Sequence, residues 1–379
     1  SVCRKPVFYV RRQENVMSLF RRRRRGPGDV REQEEFHDPG VINNAYAVDL
    51  GTCNIKIYNA ATDKIMVQKN MIAVKNKKTM IAYGDNAYEM FERAPANIRV
   101  SNPIGNGVIA DIRNMELLMK SFMRDEQRGT LHPADFFVAV PTDVTEVERR
   151  AFYDLIEDAG IKARRIMVVE KALADGLGLG IDVKTAQGVL VVDVGYDTTE
   201  ISILSLGGIV LSKLIKIGGH QFDANIVSAV RREYNLVIGM KTAETVRLTI
   251  GSKDSGAFDS GVCTIYGRDI VTGLPMERTL SRDFVENTLH DSFRSIVDNV
   301  KVLLERTPPE LSADIYRHGL FLTGGACQEE GLAELLGEET KLDVNMADAP
   351  INTVALGLAQ VIKKMQYRPL AYTIEGLGK

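Results

Sequence analysis

The sequence predicts an α/β fold made of two duplicated halves, and three observations carry that prediction. The chain has 379 residues, more than one small core needs and enough for two domains. One local design then occurs twice. Tyr46-Ala47-Val48-Asp49-Leu50-Gly51-Thr52 followed by Ile55-Lys56-Ile57-Tyr58 reads as strand, tight turn, strand. Leu190-Val191-Val192-Asp193-Val194-Gly195, a polar turn, and Glu200-Ile201-Ser202-Ile203-Leu204 repeat it about 144 positions later, the mark of an internal duplication. Finally, helical periodicities fall between the strands, which is the α/β pattern.

Taken from the N-terminus, residues 1–43 read as a basic arm, with an arginine run, Gly26-Pro27-Gly28 and then mixed charge. The first half follows over 44–187, with a small insert subdomain at about 75–106. Within it Thr145-Glu146-Val147-Glu148 is a capping box: the Thr hydroxyl and the Glu carboxylate each take a free backbone N–H. Val147, Ala151, Leu155, Ile156 and Ala159 then recur at helical spacing as the expected inner face, and Gly160 stops the run. Gly176-Leu177-Gly178-Leu179-Gly180 lacks dinucleotide-site spacing and reads as a helix end. The second half covers 188–350, with an insert at about 223–285 and a long helix from Ser281 to about Glu305 that turns Phe284, Leu289, Phe293, Ile296 and Val300 inward. A last helix, from near Pro350 to Met365, is expected to return to the first half within 351–379, and Gln366 to Lys379 shows no clear pattern.

Composition narrows the function. Hydrophobic residues make up 45% and charged residues 26%, ordinary for a globular protein. The net charge of −2 conceals an asymmetry. The first 25 residues carry nine cationic side chains against Glu14 alone, a net +8 that leaves −10 on the remainder. A basic tail on an acidic body points to an anionic partner, lipid headgroup or nucleic acid. Cys3, Cys53, Cys263 and Cys327 are scattered, without a Cys-x-x-Cys pair, which argues against a disulfide framework or a zinc site and fits a reducing cytoplasm. No apolar run approaches the roughly 20 residues that span a bilayer.

The two Asp-x-Gly turns are the leading chemical candidates. A strand that delivers a carboxylate into a turn can hold a hydrated Mg²⁺ (Asp49 and Asp193), while the glycine lets backbone N–H groups approach phosphate. Such turns also close ordinary hairpins, but two copies on equivalent strands favour a phosphate clamp. A P-loop is excluded, since Gly-x-x-x-x-Gly-Lys-Ser/Thr occurs nowhere. Leu322-Thr323-Gly324-Gly325-Ala326 follows an apolar strand, and its small residues either admit a flat purine or sugar or serve tight strand–helix packing.

Several segments together resemble the MreB-type bacterial actin homologues, over about Ala45 to Lys364. They are Asp49-Leu50-Gly51-Thr52-Cys53-Asn54, Gly107-Val108-Ile109-Ala110-Asp111, Val147-Glu148-Arg149-Arg150, Leu206-Gly207-Gly208, Ile217-Gly218-Gly219 and Ile238-Gly239 to Lys241-Thr242-Ala243-Glu244. The resemblance implies an actin-like ATPase fold whose halves each carry a small subdomain and enclose a nucleotide cleft. It implies that ATP is the ligand, with Mg²⁺ held through water by Asp49 and Asp193. Gly51, Thr52, Cys53 and Asn54 would form the first phosphate loop, and Gly195, Tyr196, Asp197 and Thr198 the second. Lys241, Thr242, Ala243 and Glu244 would flank the adenosine, with Gly324, Gly325, Ala326 and Cys327 beneath it. Glu148 would orient the attacking water of a slow ATPase, a role compatible with its capping box. The family also implies head-to-tail self-assembly, a partnership with the cell-wall elongation machinery, and a cytoplasmic location on the inner face of the cell membrane. No nucleic-acid partner is expected.

For the membrane contact, Met17, Leu19 and Phe20 form an apolar cluster beside Arg21 and Arg22, suited to an anionic leaflet, although a solvated tail reads the same way. Several positions depart from the family pattern. Asp-Ile-Gly-Gly-Gly-Thr has become Asp193-Val194-Gly195-Tyr196-Asp197-Thr198, Ile-Gly-Gly-Asp has become Ile217-Gly218-Gly219-His220, and Glu-Glu-Pro has become Glu170-Lys171-Ala172. These changes argue against fast hydrolysis and leave a nucleotide-independent scaffold as the principal alternative. A small-molecule kinase of the same fold would need a substrate pocket that the sequence does not display, and a chaperone ATPase would need a substrate-binding domain.

Overall fold

The computed structural model of the protein describes Ile42 and residues 44–250 and 261–374, all within one unit, Gly40–Lys379. The expected membrane residues Met17, Leu19, Phe20, Arg21 and Arg22 lie outside the described residues, as does Cys3.

The duplicated design becomes two five-stranded sheets of identical topology. In the first, Ala45–Leu50 pairs antiparallel with Asn54–Asn59, which pairs antiparallel with Lys64–Lys69. On its other side Ala45–Leu50 runs parallel to Ala134–Val140, which is parallel to Ala163–Glu170. In the second, Val189–Val194 pairs antiparallel with Thr199–Ser205, then Gly208–Ile215, and on its other side lies parallel to Leu320–Thr323, followed by Val344–Met346. The central strands are buried along their whole length, as expected of strands covered on both faces.

Helices supply that cover. Glu146–Asp158 begins on the predicted capping box, which forms in full. Its buried face is Phe152, Leu155 and Ile156, whereas Val147, expected inside, is 80% exposed. The register explains the correction: Phe152, Leu155, Ile156 and Ala159 share one stripe, and Val147 in the first turn faces away from it. The long helix spans Arg282–Glu305 with Ser281 as its N-cap and buries Leu289, Phe293, Ile296 and Val300. Lys171–Gly178 ends in the glycine-rich run, where Leu179 N–H donates to Asp175 O.

The last helix is Thr353–Lys363, shorter at both ends than expected because Pro350 lies in the turn before the Asn352 N-cap. It packs against Lys171–Gly178 at backbone distance. A Cβ on Gly357 would fall 1.7 Å from the Ala174 carbonyl oxygen, so only glycine fits. Leu358, Val361 and Ile362 join Ala45, Ala47 and Phe137 of the first sheet in one apolar cluster. The segment after it forms a 3₁₀ turn, Met365–Leu370, and Tyr372 bridges to Val168.

Among the described residues three small sheets complete the frame: Ile72–Lys75 with Thr79–Tyr83 and Ile98–Ser101, Leu236–Val237 with Val262–Asp269 and Pro275–Ser281, and the two-stranded Ile104–Gly105 with Val108–Ile109. Among the described residues no helix is long and apolar enough to cross a membrane.

Candidate functional site

Both hairpin turns open into one cleft of about 340 Å³. The first hairpin lines it with Asp49, Leu50, Gly51, Thr52, Cys53, Asn54 and Lys56, the second with Asp193, Gly195, Tyr196, Asp197 and Thr198. Glu244, Gly324, Gly325 and Ala326 line it as well. Lys241 lines an adjoining recess of about 260 Å³ that also includes Tyr88 and His220. Thr242 lies instead on a separate shallow groove, Ala243 and Cys327 are wholly buried, and Glu148 is absent from the cleft lining.

Local bonding explains the shape of each loop. In the first, the buried Asn70 donates its side-chain N–H to Gly51 O at 3.0 Å and its backbone N–H to Cys53 O at 2.8 Å, which fixes the turn from behind. A side chain at Gly51 would meet Asn54 O at 2.6 Å. In the second, Gly195 N–H donates to Thr198 O at 2.9 Å, and the Gly195 and Tyr196 carbonyls accept from Gly219 and His220 at the start of the helix Gly219–Tyr234. Gly324 adopts φ +93°, and a Cβ there would lie 2.2 Å from Asp193 Oδ1, so glycine is required for the third cluster to close over the second hairpin.

Charge is the least expected feature of the cleft. The strand register sets Asp49 opposite Lys56, and Lys56 Nζ donates to Asp49 Oδ2 at 2.8 Å. The equivalent register sets Asp193 opposite Glu200, a like-charge pair that would be unfavourable alone. Lys171, first residue of its helix, resolves it with an ion pair to Asp193. Asp175, one turn along the same helix, is 1% exposed, and neither of its carboxyl oxygens has a hydrogen-bond partner. Burial pushes the Asp175 carboxyl far above the ordinary carboxylate range, Asp193 adds to this and Lys171 opposes it. Burial likewise raises Glu200, whose Oε1 accepts from the Thr142 N–H. Burial works against the Lys171 charge, yet Asp193, Asp175, Glu200 and Asp49 outweigh it and raise its pKa. The Mg²⁺ expected at Asp49 and Asp193 does not fit this arrangement, since each carboxylate already holds an ammonium. Among the described residues no group of three or more His, Cys, Asp or Glu side chains converges as a metal cluster.

A second buried network supports the wall. Arg247 pairs with Asp223 and Glu329, both at 2.6 Å, with all three side chains at most 5% exposed. Across the cleft mouth Tyr88 donates to Glu244, Glu92 accepts from the N–H groups of Met240 and Lys241, and Asn106 N–H donates to Asp197 Oδ2 at 2.8 Å. Glu148 is engaged locally: the backbone N–H and hydroxyl of Thr145 both donate to it, at 2.8 and 2.7 Å, and hold its pKa below the ordinary value. Sequence reasoning missed Lys56, Lys171, Asp175 and Arg247. The available signal was a charge inside an otherwise apolar run, as in Ile55-Lys56-Ile57 and Ala172-Leu173-Ala174-Asp175.

Comparison with known proteins decides the family. The family model described as MreB/Mbl protein matches residues 43–368. The chain belongs to the MreB/Mbl family. Its relatives include the cell shape-determining protein Mbl of Bacillus subtilis, 35% identical over 324 residues that cover 85% of this chain and 96% of the relative. MreB of Escherichia coli K12 is also 35% identical, over 325 residues covering 84% of this chain and 93% of that one. Among solved structures, MreB5 of Spiroplasma citri bound to AMPPNP aligns with TM-score 0.80 at 34% identity, over 86% of this chain and 98% of that one. The MamK double helical filament aligns with TM-score 0.69 at 19% identity, over 85% of this chain and 100% of that one, and shares the fold. The actin-like fold expected of an MreB/Mbl protein is therefore established for this chain.

Proposed function

We propose that this MreB/Mbl protein is an actin-like cytoskeletal protein that binds ATP between its two hairpins and assembles head to tail into filaments. The observation that carries this reading is the shared cleft: two glycine turns on topologically equivalent strands face one space, with Gly324 and Gly325 at its side. The nucleotide-bound state of the Spiroplasma MreB5 structure supports it. In the same reading Thr52, Cys53, Asn54 and Thr198 contact phosphate, while Glu244, Lys241 and Gly325 flank the nucleoside. Glu148 would act on water only after leaving its capping box.

The division of the chain at about residue 188, with small subdomains near 75–106 and 223–285, belongs to this proposal, as does attachment of residues 1–43 to the inner face of an anionic membrane. A heterologous contact that does not close makes a filament, and the hairpin Val262–Ser281 exposes Tyr266, Val271 and Leu274, an apolar surface that a second copy would cover. On this account filaments direct cell-wall synthesis and so cell shape; the names of the Mbl and MreB relatives, cell shape-determining proteins, support the role in shape. Pelleting with ATP at micromolar protein tests assembly; a monomer at every salt and nucleotide condition refutes it. Loss of co-flotation with anionic vesicles on deletion of residues 1–25 tests the arm.

A specific observation favours a second reading. Tyr196 and Asp197 occupy the second loop, and Asp197 already accepts a backbone N–H from Asn106. A carboxylate there is an anion where phosphate would lie, which suits a scaffold that co-assembles with a nucleotide-competent homologue. Filaments formed equally well after nucleotide removal would select that reading.

A further inference from the structure

The resemblance to actin-like ATPases puts a hydrated divalent ion at Asp49 and Asp193, yet this chain meets those carboxylates with its own cations. Lys56 reaches Asp49 from the neighbouring strand, at 2.8 Å, and its side chain is 13% exposed. Lys171 reaches Asp193 from the helix that follows the strand Ala163–Glu170, and its side chain is 19% exposed. Both lysines and both aspartates line the cleft. The two ammoniums bring a charge of +2, the charge of one Mg²⁺, so the balance against the two aspartates is the same. The ligands they offer differ. Mg²⁺ needs near-octahedral oxygen coordination and keeps several waters. An ammonium is a compact donor of three N–H bonds that can reach carboxylate and phosphate oxygens at once.

Ordinary structural ion pairs would explain each contact singly. They do not explain why Asp175 and Glu200 crowd the same point, at 1% and 3% exposure, with Asp175 Oδ1, Asp175 Oδ2 and Glu200 Oε2 lacking any hydrogen-bond partner. A buried carboxyl group without a partner is costly, and a cation held permanently beside it offsets that cost without recruiting a metal. Lys171 also joins a helix of the first half to a strand of the second. It therefore ties that helix to the second hairpin at a point where both line the cleft.

We propose that Lys56 and Lys171 form a built-in cation pair that takes the place of the divalent ion, so that this cleft binds nucleoside di- and triphosphates in their metal-free form. The proposal rests on the nucleotide-binding reading above. In it the Lys171 and Lys56 ammoniums hold Asp193 and Asp49 and donate directly to the β- and γ-phosphate oxygens.

The test is calorimetric titration of ADP and ATP into the full-length chain, once with EDTA and once with millimolar Mg²⁺. The two affinities are expected to agree within about threefold, whereas a loss of about tenfold or more on removing metal overturns the proposal. Lys171→Glu restores a carboxylate and should make affinity Mg²⁺-dependent by about tenfold; a variant as metal-indifferent as the parent also overturns it. If neither nucleotide binds in either buffer, the nucleotide-binding reading falls, and paramagnetic titration with Mn²⁺ alone decides the cation pair. A parent chain without a stoichiometric Mn²⁺ site upholds it, and a site in the parent that Asp193→Asn abolishes defeats it. The parent-chain measurements suffice if Lys171→Glu does not fold.

Discussion

The two hairpins stand at equivalent places in equivalent sheets, but they solve the same electrostatic problem differently. In the first, the register itself supplies the partner, because Asp49 faces Lys56 across one antiparallel pair. In the second, the register sets Asp193 against Glu200, and the cation must come from Lys171, on a helix outside that sheet. The first hairpin is thus a local unit, while the second depends on how the helix Lys171–Gly178 packs beside it. Their loops differ in the same sense. The first keeps a small turn fixed by Asn70, and the second carries Tyr196 and Asp197, which bond outward to His220 and Asn106. The two sheets share strand topology but differ in the charge and loop chemistry of their hairpins.

That contrast can be broken at several points. The two largest effects are expected at Gly324 and Arg247, and Gly324→Ala forces a side chain onto φ +93° and into Asp193 and Val194. A loss above about 3 kcal/mol is expected in thermal unfolding, against about 1–2 kcal/mol for Gly51→Ala, whose φ is not positive. Arg247→Met leaves Asp223 and Glu329 as buried unpaired carboxylates and should cost about 3–5 kcal/mol by chemical denaturation. Replacing Tyr196 and Asp197 together by glycine removes the anion from the second loop. It should strengthen ATP binding by about tenfold, while Cys53→Ala in the first loop changes it by less than about twofold. The smallest effect is at Glu148→Gln, which keeps a capping-box side chain and removes only the charge beside the helix N-terminus, worth about 0.5 kcal/mol of stability at neutral pH. Because bonds from Thr145 depress the Glu148 pKa, that difference is complete above the ordinary carboxylate range. It disappears as pH falls through the depressed value, which unfolding curves at stepped pH would reveal.

The fold was legible in the sequence where apolar strands ran into Asp-x-Gly turns, since a buried strand that must stop has few other spellings. The capping box at Thr145 and the Ser281 start of the long helix were equally plain, being local signals read by local bonds. What escaped were contacts made across the chain. Lys171 pairs with a residue 22 positions later in another sheet, and no periodicity carries that information. Arg247, Asp223 and Glu329 meet only once three separate elements pack. Val147 misled because an apolar residue in the first turn of a helix need not share the stripe of the turns that follow. For the site, both glycine turns and the Gly324-Gly325 cluster do line one cleft, but Lys56 was read only as part of a strand and Lys171 only as a departure from the family pattern.

The central claim is that the space between the two hairpins takes a nucleotide. The most direct measurement is equilibrium binding of ATP to the purified full-length chain, by calorimetry, with an Asp193→Leu variant as the control for the second hairpin. One site per chain with micromolar affinity, abolished in the variant, is the predicted result. No saturable binding by a folded parent chain would contradict it and leave an actin-like scaffold that works without nucleotide.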